Sequence, residues 1–257
     1  MSVPSSQTLG VTKYQLYCVL AASVASINFG WCMGVANLPG EYISKCLAGP
    51  RHLINGLPSC IPATDFVWGF AVGSFALGAL LGAIACTRYS NKYGRKTVLL
   101  YFNAFSIVSA IIMGLAVNIA MMIVGRVLVG IAVGAANGTF ATYVSEITTP
   151  KARNSLGVMT QLAIILGMAL SQLCSLGMLQ PPLWRLLFAL SGVISIANIV
   201  LLWFCVESPR WLIMNGQEEK ALGVLHRLRK GSDCSCEFDH MVDAVRKEMG
   251  PSTRTAS

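Results

Sequence analysis

Six stretches of about 20 mostly apolar residues, parted by short polar segments, dominate this chain. They fall at 16–38, 66–87, 97–117, 121–144, 157–179 and 183–205. A helix needs about 20 such residues to cross the hydrocarbon core of a bilayer, and a helix satisfies all its backbone polar groups internally. The pattern predicts an all-α membrane protein built as a six-transmembrane-helix bundle. Only 12% of the 257 residues are charged and 54% are hydrophobic, where a soluble domain carries roughly 25% charged residues. That balance excludes a soluble enzyme with one compact core, a disordered chain and a small disulfide scaffold. The first run has no convincing small-residue cleavage site and a weak basic flank, so it reads as an uncleaved first helix.

The net charge is +8. The cations sit between the spans and in the C-terminal tail, which fits the positive-inside rule rather than a nucleic-acid surface. With the N-terminus inside, the inner segments carry Lys13, then Arg88, Lys92, Arg95 and Lys96, then Lys151 and Arg153. The tail adds Arg210, Lys220, Arg227, Arg229, Lys230, Arg246, Lys247 and Arg254. The outer segments hold only Lys45, Arg51 and Arg185, and Arg126 falls within the fourth span. Both termini are therefore expected in the cytoplasm. The expected organisation is a tail at 1–15, a bundle at 16–205 with an outer loop at 39–64, and a cytoplasmic helical segment with a disordered tail at 206–257.

Cys18, Cys32, Cys86, Cys174 and Cys205 lie in the apolar runs, where they read as small packing residues. Cys46 and Cys60 share the outer loop. There a bridge and two free thiols are equally compatible with the sequence. The Asn137-Gly138-Thr139 triplet is too deep in the fourth span for glycosylation. Cys234 and Cys236 with His240 are a weak metal signal, and a flexible tail is the better reading. No Ser-His-Asp set or metal-ligand cluster lies in the spans. Neither enzymatic activity nor a cofactor is expected.

Gly69, Gly73, Gly78 and Gly82 line the second span, and Gly130, Gly134 and Gly138 the fourth. Such spacing lets a neighbouring helix approach closely. Gly94-Arg95-Lys96 makes a tight inner turn. Glu146 and Arg153 flank the inner end of the fourth span, where Pro150 stops it. An acid and a base there can form ion pairs that hold one conformation and break for another. In Glu207-Ser208-Pro209-Arg210-Trp211-Leu212, Ser208 suits a helix cap with Pro209 in the first turn. The stretch 217–230 is amphipathic, with Leu222, Leu225 and Leu228 on one face, and reads as a short helix lying against the bundle.

Gly94-Arg95-Lys96, the Gly130/Gly134/Tyr143/Glu146/Arg153 spacing and the Glu207–Leu212 motif together resemble the sugar porter family of the major facilitator superfamily, over nearly the whole chain. The run from Asn28 to Pro39, and Asn91 where many sugar porters carry an acid, resemble the animal-type facilitative glucose transporters. The resemblance implies one half of a twelve-helix fold, needing a second six-helix half as a missing C-terminal half or a partner chain. Sugar, a hexose by family expectation, binds between the halves, and rocking alternates access. It places Gln161 on a sugar hydroxyl, an amide offering donors and an acceptor. Ile164, Met168, Phe29 and Gln172 are further candidates for the sugar site, with ordinary packing as the alternative for the apolar three. It assigns Arg95, Arg126, Glu146, Arg153, Glu207 and Arg210 to gating ion pairs. Proton-coupled members carry an aspartate at the position of Cys32, so its absence implies passive uniport. A proton-coupled relative, a polyol or organic-ion carrier, and a truncated, non-transporting half that partners a full-length transporter are the alternatives. A plasma membrane is the family default.

Overall fold

The computed structural model describes residues 12–47, 49, 53–54, 56–148, 150–229 and 235–249, with the side chains of 150–157, 236, 248 and 249 outside that description. Among the described residues, six helices are long and apolar enough to cross a membrane. They are α1 (Lys13–Gly34), α3 (Asp65–Tyr93), α4 (Arg95–Gly114), α5 (Ile119–Ile147), α6 (Pro150–Gly177) and α7 (Leu183–Trp203). Short elements join them. A turn of helix, α2 (Gly40–Ser44), and a two-residue antiparallel hairpin, β1 (Leu53–Ile54) and β2 (Leu57–Pro58), fill the loop between α1 and α3. Beyond α7 come α8 (Pro209–Met214), α9 (Glu218–Leu228) and α10 (Ser235–Met249).

The ends of the helices depart from the apolar runs for identifiable reasons. Polar Arg88–Lys92 continue α3, which stops only at Gly94, where φ is +94°. Pro150 opens α6 instead of merely stopping α5, since proline at the first helical position loses no intrahelical bond. The helix thus starts seven residues before 157, while its apolar spanning part begins at Val158, as expected. The third correction concerns the tail, because 235–249, expected to be flexible, is helical. Cys234 and the side chain of Cys236 lie outside the described residues, and so does the metal reading built on them.

Helices α3 and α5 pack most extensively, followed by α1 on α6, and α4 on α5 and on α7. Glycine makes two of these seams. A Cβ on Gly78 or Gly82 would run into the backbone carbonyls of Val127 and Ile131, and one on Gly130 or Gly134 into those of Phe75 and Ala79. The α1–α6 seam has the same reciprocal build, with Gly30 against Ile164 O and Gly167 against Ile27 O. Of the expected packing glycines, Gly69 and Gly73 face open space. Polar side chains thread the interior. Asn28 Nδ2 donates to Ser195 Oγ at 2.8 Å, the amides of Asn103 and Asn198 meet at 3.3 Å, and Ser26 donates to Asn137 Oδ1 at 2.7 Å. In a bundle without a hydrophobic drive between helices, such bonds fix the register.

At one end, Cys46 and Cys60 are bridged, which settles the two readings left open by the sequence. Trp184 Nε1 donates to Ser59 O at 2.9 Å, and Arg185 to Pro58 O at 2.8 Å and Ala116 O at 2.8 Å. These bonds pin the bridged loop to the start of α7 and the turn that follows α4. The exposed Lys45 ammonium lies 3.0 Å from Glu41 and 3.5 Å from Asp65, and the hydrogen bond to Glu41 raises its pKa. The opposite end carries Arg95, Lys96 and helices α8 to α10, and is called the basic end below.

Candidate functional site

Three motifs spread over more than a hundred residues of sequence meet at the basic end. The N-terminus of α4 has no side-chain cap of its own, because Gly94 precedes it. Glu207 supplies one from across the bundle. Its Oε1 accepts the N–H of Arg95 at 2.8 Å, of Lys96 at 3.0 Å and of Ser208 at 2.9 Å. A carboxylate is favoured there by the helix dipole and the free N–H groups. A Cβ on Gly94 would sit 2.5 Å from the Glu207 carboxylate, so the positive φ and the close approach both demand glycine. The exchange is mutual. Lys96 Nζ donates to Trp203 O at 2.9 Å and Cys205 O at 2.6 Å, capping the end of α7.

Arg95 lies behind this double cap. Its Nη2 is 2.8 Å from Glu146 Oε1, and the two side chains are only 7% and 9% exposed. Its Nη1 donates to Ser90 O at 3.2 Å, while Ser208 Oγ gives 2.6 Å to Glu146 Oε2. Ser208 also caps α8 through Trp211 N–H, as the motif predicts. Trp211 Nε1 donates to Asn91 O at 2.9 Å and Tyr143 Oη to Val206 O at 2.7 Å. Beside the knot a cavity of about 280 Å³ is lined by residues that include Ser90, Asn91, Arg95 and Thr142. A second clasp ties the ends of the chain. Arg229, almost fully buried, pairs with Glu237 at 2.7 Å and reaches Gln15 Oε1 and Ile147 O, each at 3.3 Å.

The predicted ion-pairing residues divide here. Arg95 and Glu146 form a buried pair. Glu207 takes backbone N–H groups, an assignment that the expectation of a side-chain pair missed. Arg210 is half-buried in the first turn of α8. Arg153 is in α6, with its side chain outside the described residues. Arg126 stands apart in the bundle interior, 2% exposed. Its Nη1 donates to Cys32 O at 2.8 Å, its guanidinium lies 5.0 Å over the Phe75 ring, and among the described residues it has no carboxylate partner. The ion pair expected of it is therefore a carbonyl and ring contact. The Ser208–Glu146 bond, the role of Lys96 and the Gln15–Arg229–Glu237 clasp were not predicted. For Lys96 a signal existed, since it belongs to the Gly-Arg-Lys turn. For the clasp there was none.

The candidate sugar residues lie elsewhere, along α1 and α6. Gln161 is exposed, and among the described residues it makes no hydrogen bond. Ile164, Met168 and Gln172 follow on the same stripe of α6, all half-buried. Met168 abuts Gly34 and the backbone of Ile164 abuts Gly30, so part of this stripe serves the α1 seam. Phe29 is half-buried on α1, with its ring centroid 5.7 Å from that of Phe75. It thus touches the ring beneath Arg126.

A family profile described as "Sugar (and other) transporter" matches residues 18–257. The chain is 30% identical over 243 residues to the facilitated glucose transporter member 3 of Gallus gallus, covering 92% of this chain and 49% of that protein. The human member 3 is also 30% identical, over 246 residues, with the same coverage. The chain thus spans about half the length of the curated relatives it matches. Among solved structures, the major facilitator proton:xylose symporter XylE, bound to 6-bromo-6-deoxy-D-glucose, superposes with a TM-score of 0.81 at 22% identity, over 94% of this chain and 55% of that one. A partially occluded, inward-open form of XylE from E. coli gives 0.78 at 22% identity, over 91% and 61%.

Proposed function

The chain belongs to the sugar transporter family of the major facilitator superfamily, and on that premise we propose that it forms the N-terminal half of a facilitative hexose uniporter working by alternating access. A second six-helix half, in a longer chain or a partner chain, completes the cleft. The glucose transporters among its relatives support the substrate class. In this reading Gln161 offers its amide to a sugar hydroxyl, Phe29, Ile164 and Met168 give the apolar wall, and Gln172 lies three turns along the same stripe. The basic end faces the cytoplasm, the bridged loop faces outside, and the membrane is the plasma membrane. The Arg95–Glu146 pair and the Glu207 cap lock one conformation and release for the other, with Arg153 and Arg210 at their edge.

One observation carries uniport over proton coupling. Arg126 is buried and bonded to a carbonyl, and its neighbour at the critical position is Cys32. Coupling needs an intramembrane group that titrates, and Asp65 and Glu146 both stand at helix ends. The test is uptake of labelled glucose by the complete transporter in sealed vesicles. Uniport predicts equilibration without accumulation, unchanged by a protonophore. Uphill accumulation abolished by the protonophore refutes it, and competition by polyols or organic ions alone refutes the hexose.

A further inference from the structure

Two buried donors at the basic end have no part in the transport reading. Ser90 Oγ and Arg95 Nε make no hydrogen bond among the described residues, although Ser90 is only 4% and Arg95 only 5% exposed. Both residues line the cavity of about 280 Å³ beside the knot, together with Thr87, Asn91 and Thr142. Buried polar groups are nearly always hydrogen-bonded, so two such groups lining one cavity mark a place where the polar atoms of a ligand belong. The volume is roughly that of nine waters and close to the smallest small-molecule sites, about 300 Å³. The charge there is already met. Arg95 Nη2 is 2.8 Å from Glu146 Oε1, which leaves Nε–H a donor on a neutralised guanidinium. An anion seated on it would also face that carboxylate, and a cation would find no acid among the described lining residues. What remains is hydroxyl and amide chemistry. Ser90, Thr87 and Asn91 can donate and accept, while Thr142 gives its proton to Thr139 O at 2.8 Å and keeps lone pairs to offer. A molecule with several hydroxyls matches such a set, because each hydroxyl both donates and accepts.

We propose that this cavity is a second binding site, for a neutral polyol of hexose size, set at the basic end beside the Arg95–Glu146 pair and apart from the Gln161 stripe. Ser90 Oγ and Arg95 Nε hold the ligand's hydroxyl oxygens, and Thr142 accepts from a hydroxyl across the cavity. No aromatic ring lines the site, so affinity is weak, of millimolar order. The three side chains stand on α3, on the first turn of α4 and on α5. One ligand shared among them ties together the helices whose ends form the knot, and a ligand that binds one arrangement stabilises it by mass action. A polyol accumulating at the basic end therefore favours the assembled knot. The site is built wholly from this chain, whereas the central cleft needs a second half, and its assignment rests on the lining rather than on what that cleft carries.

The test is saturation-transfer NMR of glucose titrated onto the full chain in lipid nanodiscs, with empty nanodiscs as the blank. The expected result is saturable binding of millimolar order, weakened about fivefold by Ser90→Ala and by Thr142→Val, the loss of one hydrogen bond each. Ser90→Ala removes a hydroxyl that bonds to nothing among the described residues, so its Tm without sugar should match that of the unaltered chain. Thr142→Val keeps the shape and serves as the second variant. Binding left unchanged by both substitutions overturns the proposal. So does a signal lost in Gln161→Ala but kept in Thr142→Val, which assigns the sugar to the α6 stripe. Displacement of glucose by a lower concentration of inorganic phosphate overturns the neutral ligand.

Discussion

The Arg95–Glu146 pair allows a quantitative test of the knot. Replacing Glu146 by Gln keeps the shape and one oxygen for Ser208 but removes the charge facing Arg95 at 2.8 Å. Both side chains are below a tenth exposed, so the guanidinium stays buried with the Ser90 carbonyl as its remaining acceptor. Removing one partner of a buried pair destabilises by about 3–5 kcal/mol. We expect the lower end, about 3 kcal/mol, because the knot lies at the end of the bundle and keeps that carbonyl. Arg95→Met should cost a similar amount, since it strands the Glu146 carboxylate. The double variant should lose about 4 kcal/mol rather than the additive total of about 6 kcal/mol, a coupling of about 2 kcal/mol in the double-mutant cycle. The assay is denaturant titration of the full chain in mixed micelles, followed by tryptophan fluorescence, as Trp211 reports from the knot itself. Additive losses, with a coupling below about 0.5 kcal/mol, would refute the claim that these side chains act as a buried pair.

Other outcomes follow from the same geometry. Gly167→Val drives a side chain into the Ile27 carbonyl and should destabilise by about 3 kcal/mol, the upper range for overpacking. Gly73→Ala, with nothing within 4 Å, should stay within about 0.5 kcal/mol, and equal effects in the same titration would contradict the seam. Replacing Cys46 and Cys60 by Ala opens a bridge of sequence separation 14 and should lower stability by up to about 3 kcal/mol, read as a fall in Tm. In the complete transporter, Gln161→Ala should raise the KM for glucose roughly fivefold, the equivalent of a lost hydrogen bond of about 1 kcal/mol, with cell-surface amount measured in parallel. An unchanged KM removes Gln161 from the sugar site.

What could be read directly was whatever depends on local composition. Twenty-residue apolar runs announce spanning helices because lipid leaves a backbone no other partner than itself. Ser208 before Pro209 announces a helix start because a cap and its helix are adjacent in the chain. The four-residue glycine rhythm of the fourth span announces a close seam for the same reason. Composition fails where a polar stretch can be helix or coil. This is why Arg88–Lys92 and 235–249 turn out helical, with the end of α3 decided by one glycine at positive φ.

Partner choice across the chain belonged to the tertiary structure alone. Glu146 and Glu207 are both acids near the same end, and nothing in their spacing says which one meets a guanidinium and which one caps a helix. Only the fold brings Glu207 to the uncapped start of α4 and Glu146 to Arg95. The Cys46–Cys60 bridge and the carbonyl that holds Arg126 were decided likewise. Hydropathy is a sum over neighbours in sequence, whereas hydrogen bonds and ion pairs act over about 3 Å in space. A chain encodes the first in any window of twenty residues and reveals the second only once six helices have packed.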